Sequence, residues 1–133
     1  MKQRRTGMLP IFAAALTLIV CGCASTVRFT VPTGVRSIAI AAGSFYFNPN
    51  HITVPATGAY RLVVTNKAGI HHNITVKDPA GKIIASQNLA PGKTVEVPVD
   101  FPQPGKYPFY CNVDAHAELG MSGRFDVATS GGQ

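Results

Sequence analysis

The segment YCNVDAHAELGM, residues 110–121, contains a cysteine, a histidine and a methionine at regular intervals. Four residues separate Cys111 from His116, and four more separate His116 from Met121. A thiolate, an imidazole and a thioether together favour copper, because soft sulfur donors bind Cu(I) and imidazole also suits Cu(II). A trigonal copper site built from two histidines and a cysteine, with a distant methionine, requires a second histidine from elsewhere in the chain.

The amino-terminal residues predict export from the cytoplasm. Three basic side chains within the first five residues precede an apolar run at 8–20, which is short for a membrane-spanning helix. The letters VCGC that follow resemble a bacterial lipoprotein processing site, at which residues 1–22 are removed and Cys23 carries the lipid. An uncleaved membrane anchor is the alternative. Both interpretations place the folded part outside the cytoplasm, in the periplasm or at the cell surface, and attached to a membrane.

Removal of residues 1–22 changes what the composition indicates. The remaining 111 residues suffice for one domain with a hydrophobic core. Nine basic and six acidic side chains give a net charge of +3 without a basic run, so nucleic acid is not an expected partner. With Cys23 lipidated, Cys111 is the one free thiol of the processed chain, and Met121 is its one methionine. An unpaired thiol outside the cytoplasm calls for burial or for a bond to something.

Short runs rich in Val, Ile, Phe and Tyr, separated by turn residues, predict an all-β protein. We expect eight or nine strands in an antiparallel sandwich or barrel, near 27–31, 37–42, 51–54, 60–66, 72–77, 82–87, 93–99, 106–111 and 123–128. A plausible helical stretch lies at 115–119. The predicted organisation is a signal at 1–22, a tether or extra edge strand at 23–35, one domain at 36–128 and a flexible tail at 129–133.

Side-chain alternation places the candidate donors on strand faces. If Tyr107 and Phe109 point inward, Cys111 does too, because residues two apart share a face. In the segment HHNITV, Ile74 and the valine after it form the inward set, so His72 is the inward histidine. A register slip of one residue would exchange it with its neighbour His71.

The other two histidines, His51 and His71, are expected at the surface. The side-chain amide of Asn73 could hold the loop that contains His116, because metal ligands need hydrogen bonds from surrounding residues to fix their orientation.

The segment GKYPFYCNVDAHAELGMSGRFDV resembles the closing segment of the small blue-copper proteins, the cupredoxins. The pair His72-Asn73 and the earlier segment FYFNPNHITVPATGAYRLVVTN are also similar to theirs, so the resemblance covers roughly residues 37–128. It implies a Greek-key sandwich with one copper ion and the ligands His72, Cys111, His116 and Met121. Tyr110 would be a second electron path in such a protein.

The sequence departs from the cupredoxin pattern in the ligand loop. Asp114 and Ala115 stand where Pro-Gly is usual, and Asn112 replaces a small hydroxyl residue beside the cysteine. After Asn73, Asn112 is the second residue that we expect to support the ligands without binding the metal. Pro108 predicts an edge position or a bulge in the strand that leads to the cysteine. These changes remove no ligand, but they bear on the redox potential and the docking surface.

The expected function is therefore one-electron transfer, without enzymatic activity, in a monomer. Expected partners are redox proteins that dock transiently, such as cytochromes, oxidases or reductases, at the membrane that holds the lipid anchor. A copper delivery or storage protein is the alternative, although such proteins favour exposed sites rich in Met or His. A lipid-anchored interaction module without a metal is the third interpretation.

Overall fold

The computed structural model describes residues 25–129, which form ten β-strands in two sheets. The predicted all-β sandwich is confirmed. The signal segment, Cys23 and residues 130–133 lie outside the described residues. In chain order the strands are β1 Arg28–Thr30, β2 Ser37–Gly43, β3 Tyr46–Asn48, β4 His51–Val54, β5 Gly58–Asn66, β6 His72–Lys77, β7 Ile83–Leu89, β8 Thr94–Phe101, β9 Gly105–Tyr110 and β10 Ser122–Val127.

Both sheets mix parallel and antiparallel pairs. The six-stranded sheet has the order β1-β4-β10-β9-β6-β7, and the four-stranded sheet has the order β3-β2-β5-β8. Strand β4 is parallel to both of its neighbours, with His51 opposite Arg28 on β1 and opposite Arg124 on β10. Strands β1, β4 and β10 therefore run in one direction and begin toward the same end of the sandwich.

We call this end of the sandwich the upper end. It is the end at which β9 finishes, β10 starts and β6 starts, because Tyr110 pairs with Ser122 on one side and with Thr75 on the other. Strand β7 runs the opposite way to β6, so Leu89 pairs with His72 at the upper end, and Ile83 pairs with Lys77 at the lower end.

The core lies between the two sheets and follows the alternation in the sequence. Tyr107, Phe109 and Cys111 are fully buried, which confirms the predicted inward face of β9. Rings from both sheets meet there, with centroids of Phe47 and Phe109 5.3 Å apart and those of Phe109 and Phe125 4.7 Å apart. Each such buried aromatic side chain contributes about 1.5–3 kcal/mol, so the core fixes the strand that carries Cys111.

Three sequence expectations need correction. The expected antiparallel arrangement was wrong, because β1 and β10 pair in parallel with β4, and β2 pairs in parallel with β5. The sequence analysis missed β3, a strand of three residues that lies opposite the end of β2. The segment 115–119 forms turns, not a helix, because its hydrogen bonds mix spacings: Leu119 N–H donates to Ala115 O, and Gly120 N–H donates to Ala117 O. None of the described residues forms a helix long and apolar enough to cross a membrane.

Candidate metal centre

Three potential metal donors converge at the upper end of the sandwich. His72 starts β6, Cys111 follows β9, and His116 lies in the turns before β10. One donor atom from each lies within 4.8 Å of the other two, and all three side chains are buried. The Nδ1 atoms of His72 and His116 are 3.2 Å apart, and Cys111 Sγ is 3.5 Å from His116 Nδ1. The predicted second histidine is therefore beside the cysteine.

His72 is the inward histidine of the HHN segment, as predicted. It is 1% exposed, whereas His71 is exposed. Burial, followed by the charge of His116, lowers the pKa of His72 below its ordinary value of 6.5. Its imidazole is therefore neutral at pH 7, as a metal ligand must be. Its Nε2 atom is buried and has no hydrogen-bond partner among the described residues, so Nδ1 is the nitrogen that faces the other donors.

The backbone of Asn73 supports the thiol. Its N–H donates to Cys111 Sγ at 3.3 Å, a contact that stabilises negative charge on sulfur. The side-chain amide does not act as the sequence analysis expected. It donates to Ser86 and Asn88 on β7, and its oxygen accepts a 2.6 Å hydrogen bond from Thr75. The Asn73 side chain thus fixes β6 against β7, and only the backbone reaches the donor set.

Backbone hydrogen bonds close the loop that contains Cys111, His116 and Met121. Cys111 N–H donates to Met121 O, and Met121 N–H donates to His116 O, both at 3.0 Å. Met121 is fully buried. Asp114 adopts a left-handed backbone with φ 43°, which aspartate tolerates better than most residues. A proline cannot adopt this φ, so the loop bends at Asp114 in a way that a proline at this position would not allow.

Sequence reasoning missed Phe45, which packs beside both histidines. Its ring centroid is 4.6 Å from that of His116 and 6.3 Å from that of His72. It precedes the short strand β3 that the sequence analysis also missed, so no periodic signal marked it.

Sequence reasoning also missed Asn66, whose buried side chain shapes the segment before His72. Its amide donates to Ile70 O at 2.8 Å and to Leu89 O at 2.9 Å, while its oxygen accepts from Ala68 N–H at 2.9 Å. The signal that could have found it is an asparagine as the last residue of the strand predicted at 60–66, because a buried side-chain amide there needs hydrogen-bond partners.

The other singled-out residues lie farther from the donor set or at its edge. Asn112 is exposed. Pro108 pairs with Arg124 on β10. On the other side of β9, the pairing with β6 includes only Phe109 and Tyr110. The Lys77 ammonium lies over the ring of Tyr110, with Nζ 5.1 Å from the ring centroid.

The surface assignment of His51 was wrong. His51 is 9% exposed, and its Nε2 lies 2.6 Å from Asp126 Oδ2. Partner strands that are distant in sequence bury it, which sequence alternation does not reveal.

Comparison with known proteins agrees with this geometry. The protein-family model of the cupredoxin-like domain matches residues 10–121, so the chain belongs to the cupredoxin-like family. Auracyanin from Roseiflexus castenholzii is 26% identical, with a TM-score of 0.63 over 70% of this chain and 97% of that one. Auracyanin A from Chloroflexus aurantiacus, a "blue" copper protein, is 26% identical, with a TM-score of 0.60 over 74% and 99%.

Matches with lower sequence identity support only the fold. Reduced rusticyanin is 19% identical, with a TM-score of 0.56 over 74% of this chain and 84% of that one, and shows the shared sandwich. Comparison with curated proteins finds no significant match.

The donor set suits copper better than other common metals. Two imidazole nitrogens and one cysteine sulfur converge without a carboxylate among them, whereas magnesium and calcium prefer oxygen ligands. Structural zinc would favour a fourth strong ligand in a closed tetrahedron. The facing Nδ1 atoms and the supported thiol therefore fit a copper ion.

Proposed function

We propose that this protein is a one-electron carrier with a mononuclear blue copper site and no enzymatic activity. His72, Cys111 and His116 would hold the ion, and Met121 would be a weak axial ligand. The observation that supports the proposal most is that three buried residues bring two imidazole nitrogens and one cysteine sulfur within 4.8 Å of one another. Bound copper would supply a reversible one-electron couple between Cu(I) and Cu(II).

The protein's own residues would keep the ligands in place while the charge of the site changes. Asn73 N–H donates to the thiolate, and the loop bonds between residues 111 and 121 hold the cysteine and methionine backbones together. His72 is 1% exposed and His116 is 8% exposed, so the His116 ring is the donor nearer to solvent. We propose its edge as the point at which electrons enter and leave.

The direct test is the visible spectrum of residues 24–133 after addition of Cu(II). We expect an intense thiolate-to-copper band that Cys111→Ser abolishes. His72→Ala should also remove it, whereas the matched variant His71→Ala should keep it, because His71 is exposed and His72 faces Cys111. A colourless wild-type protein would reject the carrier, and a band that depends on His71 would reject this ligand set.

A second measurement separates electron transfer from copper delivery. The buried donors and the single methionine of the processed chain favour retention of the ion. We expect fast reversible voltammetry and slow loss of copper to a mild chelator. Rapid loss to that chelator, with sluggish voltammetry, would instead indicate delivery or storage.

Membrane attachment and partners complete the proposal. The signal segment supports export and lipidation of Cys23, with the folded domain in the periplasm or at the cell surface. The partners would be redox proteins that dock transiently with a monomer. Metabolic labelling with a radioactive fatty acid tests the anchor, and Cys23→Ala should abolish incorporation of the label.

A further inference from the structure

The described chain begins at the upper end of the sandwich, next to the candidate metal centre. Strand β1 runs parallel to β4, and β4 runs parallel to β10, which starts immediately after Met121. The chain that precedes β1 therefore enters the fold from the upper end.

The side chain of Asn50 fastens this entering segment. Asn50 Oδ1 accepts from Val27 N–H at 2.8 Å, and Asn50 Nδ2 donates to Ser25 O at 3.1 Å. The backbone N–H groups of Asn50 and His51 both donate to Val27 O at 3.1 Å. Four hydrogen bonds thus hold residues 25–27, so the entry point is a fixed part of the domain.

Ser25 and Val27 line an apolar groove together with the ligand loop. The groove has a volume of about 300 Å³, and its other walls include Phe45, Tyr46 and Leu119. Phe45 also packs on His116. Val27, Tyr46 and Leu119 are 39%, 47% and 60% exposed, which groups three of the large exposed apolar side chains of the described residues around one groove. Such clusters mark surfaces that contact an apolar partner.

The chain outside the described residues determines which partner that is. Cys23 lies two residues before Ser25, and a chain spans at most about 3.6 Å per residue, so the backbone of Cys23, where a lipid would be attached, stays within roughly 7 Å of that of Ser25 at the groove. The alternative anchor, the apolar run ending at residue 20, would stay within roughly 18 Å by the same limit. Either attachment brings the upper end to the lipid surface.

We infer that the anchored protein faces the membrane with its metal-site end, and that the groove of Val27, Tyr46 and Leu119 rests in the lipid interface. This inference rests on the membrane attachment proposed above but not on the copper chemistry. In this orientation, a redox partner embedded in the same bilayer would reach His116 by moving in the plane of the membrane.

Tryptophan fluorescence tests this orientation, because the chain contains no native Trp. Full-length Leu119→Trp, exported and processed by the cell, is reconstituted without copper into phosphatidylcholine vesicles with and without doxyl-labelled acyl chains. Zwitterionic lipid avoids repulsion of the exposed Asp114 and Glu118 on the ligand loop. The matched control is Ile83→Trp, which is similarly exposed at 52% but lies at the lower end.

The expected result is that the doxyl lipid removes most of the Leu119→Trp emission and leaves the Ile83→Trp emission unchanged. Tyr46→Trp replaces one aromatic ring with another in the same groove and should behave like Leu119→Trp even if that variant folds poorly. Equal quenching of Ile83→Trp, bright emission from both groove variants, or protein that stays off the vesicles would overturn the inference. Since copper is absent, none of these outcomes depends on the proposed electron transfer.

Discussion

At the scale of single residues, the candidate centre depends on which atoms can meet in the core. The Nδ1 atoms of His72 and His116 lie 3.2 Å apart, and the sulfur of Cys111 accepts from Asn73 N–H. Burial lowers the pKa of His72, which keeps it available as a neutral ligand. No single donor would be distinctive, since buried cysteines often serve as small apolar residues.

Met121→Leu tests the axial ligand. The side chain is fully buried, and the exchange conserves volume, so the free energy of unfolding should change by less than about 1.5 kcal/mol. We expect the visible band to remain and the reduction potential to rise, because removal of a donor costs the more highly charged Cu(II) more than it costs Cu(I). Voltammetry measures the potential.

Leu62→Met is the control for this exchange. Leu62 is a fully buried residue of β5, and the substitution introduces a thioether away from the donors. The potential should stay at the wild-type value. A potential that is unchanged in Met121→Leu would contradict an axial role for Met121.

At the scale of elements, the segments between strands set the ligand positions. Asn66, at the end of β5, binds Ile70 O and Leu89 O, so it ties the segment before His72 to the end of β7. Leu89 is also the residue that pairs with His72. The histidine is therefore held from its own strand and from the preceding segment.

Asn66→Ala should destabilise the protein by about 2 kcal/mol, because it leaves two carbonyl oxygens without a side-chain donor. Urea unfolding of the copper-free protein measures this, and the copper affinity should fall as well. Asn48→Ala, at an exposed position on β3, should leave both quantities unchanged. Equal unfolding midpoints for the two variants would show that Asn66 does not restrain the segment.

The pairing of β4 with β10 predicts a loss of stability in acid. Burial by itself would raise the pKa of Asp126, but hydrogen bonds from His51 and Arg124 outweigh burial, and the pKa lies below its ordinary value of 3.8. The unfolded chain therefore takes up this proton at a higher pH than the folded protein. The stabilisation is complete above pH 3.8 and is lost as the pH falls through the lower folded pKa.

Urea unfolding of copper-free protein at about pH 6 and at about pH 3 measures this effect. Asp126→Asn should lower stability by about 1 kcal/mol at the higher pH. The deficit should be smaller at the lower pH, because proton uptake by the unfolded wild-type chain favours unfolding there. Asp100→Asn, at an exposed position on β8, is the control. An Asp126→Asn deficit that does not shrink in acid would contradict the assignment.

The sequence predicts those parts of the fold and site that depend on local pattern. Alternation in β9 puts Cys111 inside, and the HHN segment distinguishes His72 from His71. The sequence did not predict the surroundings of Phe45 and His51, because their neighbours come from segments distant in sequence: His51 and Asp126 are 75 positions apart. Strand β3 has only three residues, too few to show a period.

At the scale of the whole molecule, copper should act as a stabilising ligand of the folded sandwich. His72 lies on β6, whereas Cys111 and His116 lie between β9 and β10, so the unfolded chain offers no assembled site. A free ion concentration of 100 times the Kd should raise the free energy of unfolding by about 2.7 kcal/mol. Thermal unfolding with and without copper measures the change, and His72→Ala should abolish it. A melting temperature independent of copper would contradict a site assembled by folding.

The position of β4 between β1 and β10 also bears on the timing of assembly. Its neighbours come from opposite ends of the described chain, and β10 closes the sheet last. A chain threaded unfolded through a secretion pore cannot complete this sheet until its final strand has emerged. His116 also precedes β10 by only a few residues, so the donors meet only after passage is complete. For a chain exported unfolded, as proposed from its signal segment, metal loading would belong to the destination compartment, and the copper supply of the cytoplasm would not determine which ion the protein receives.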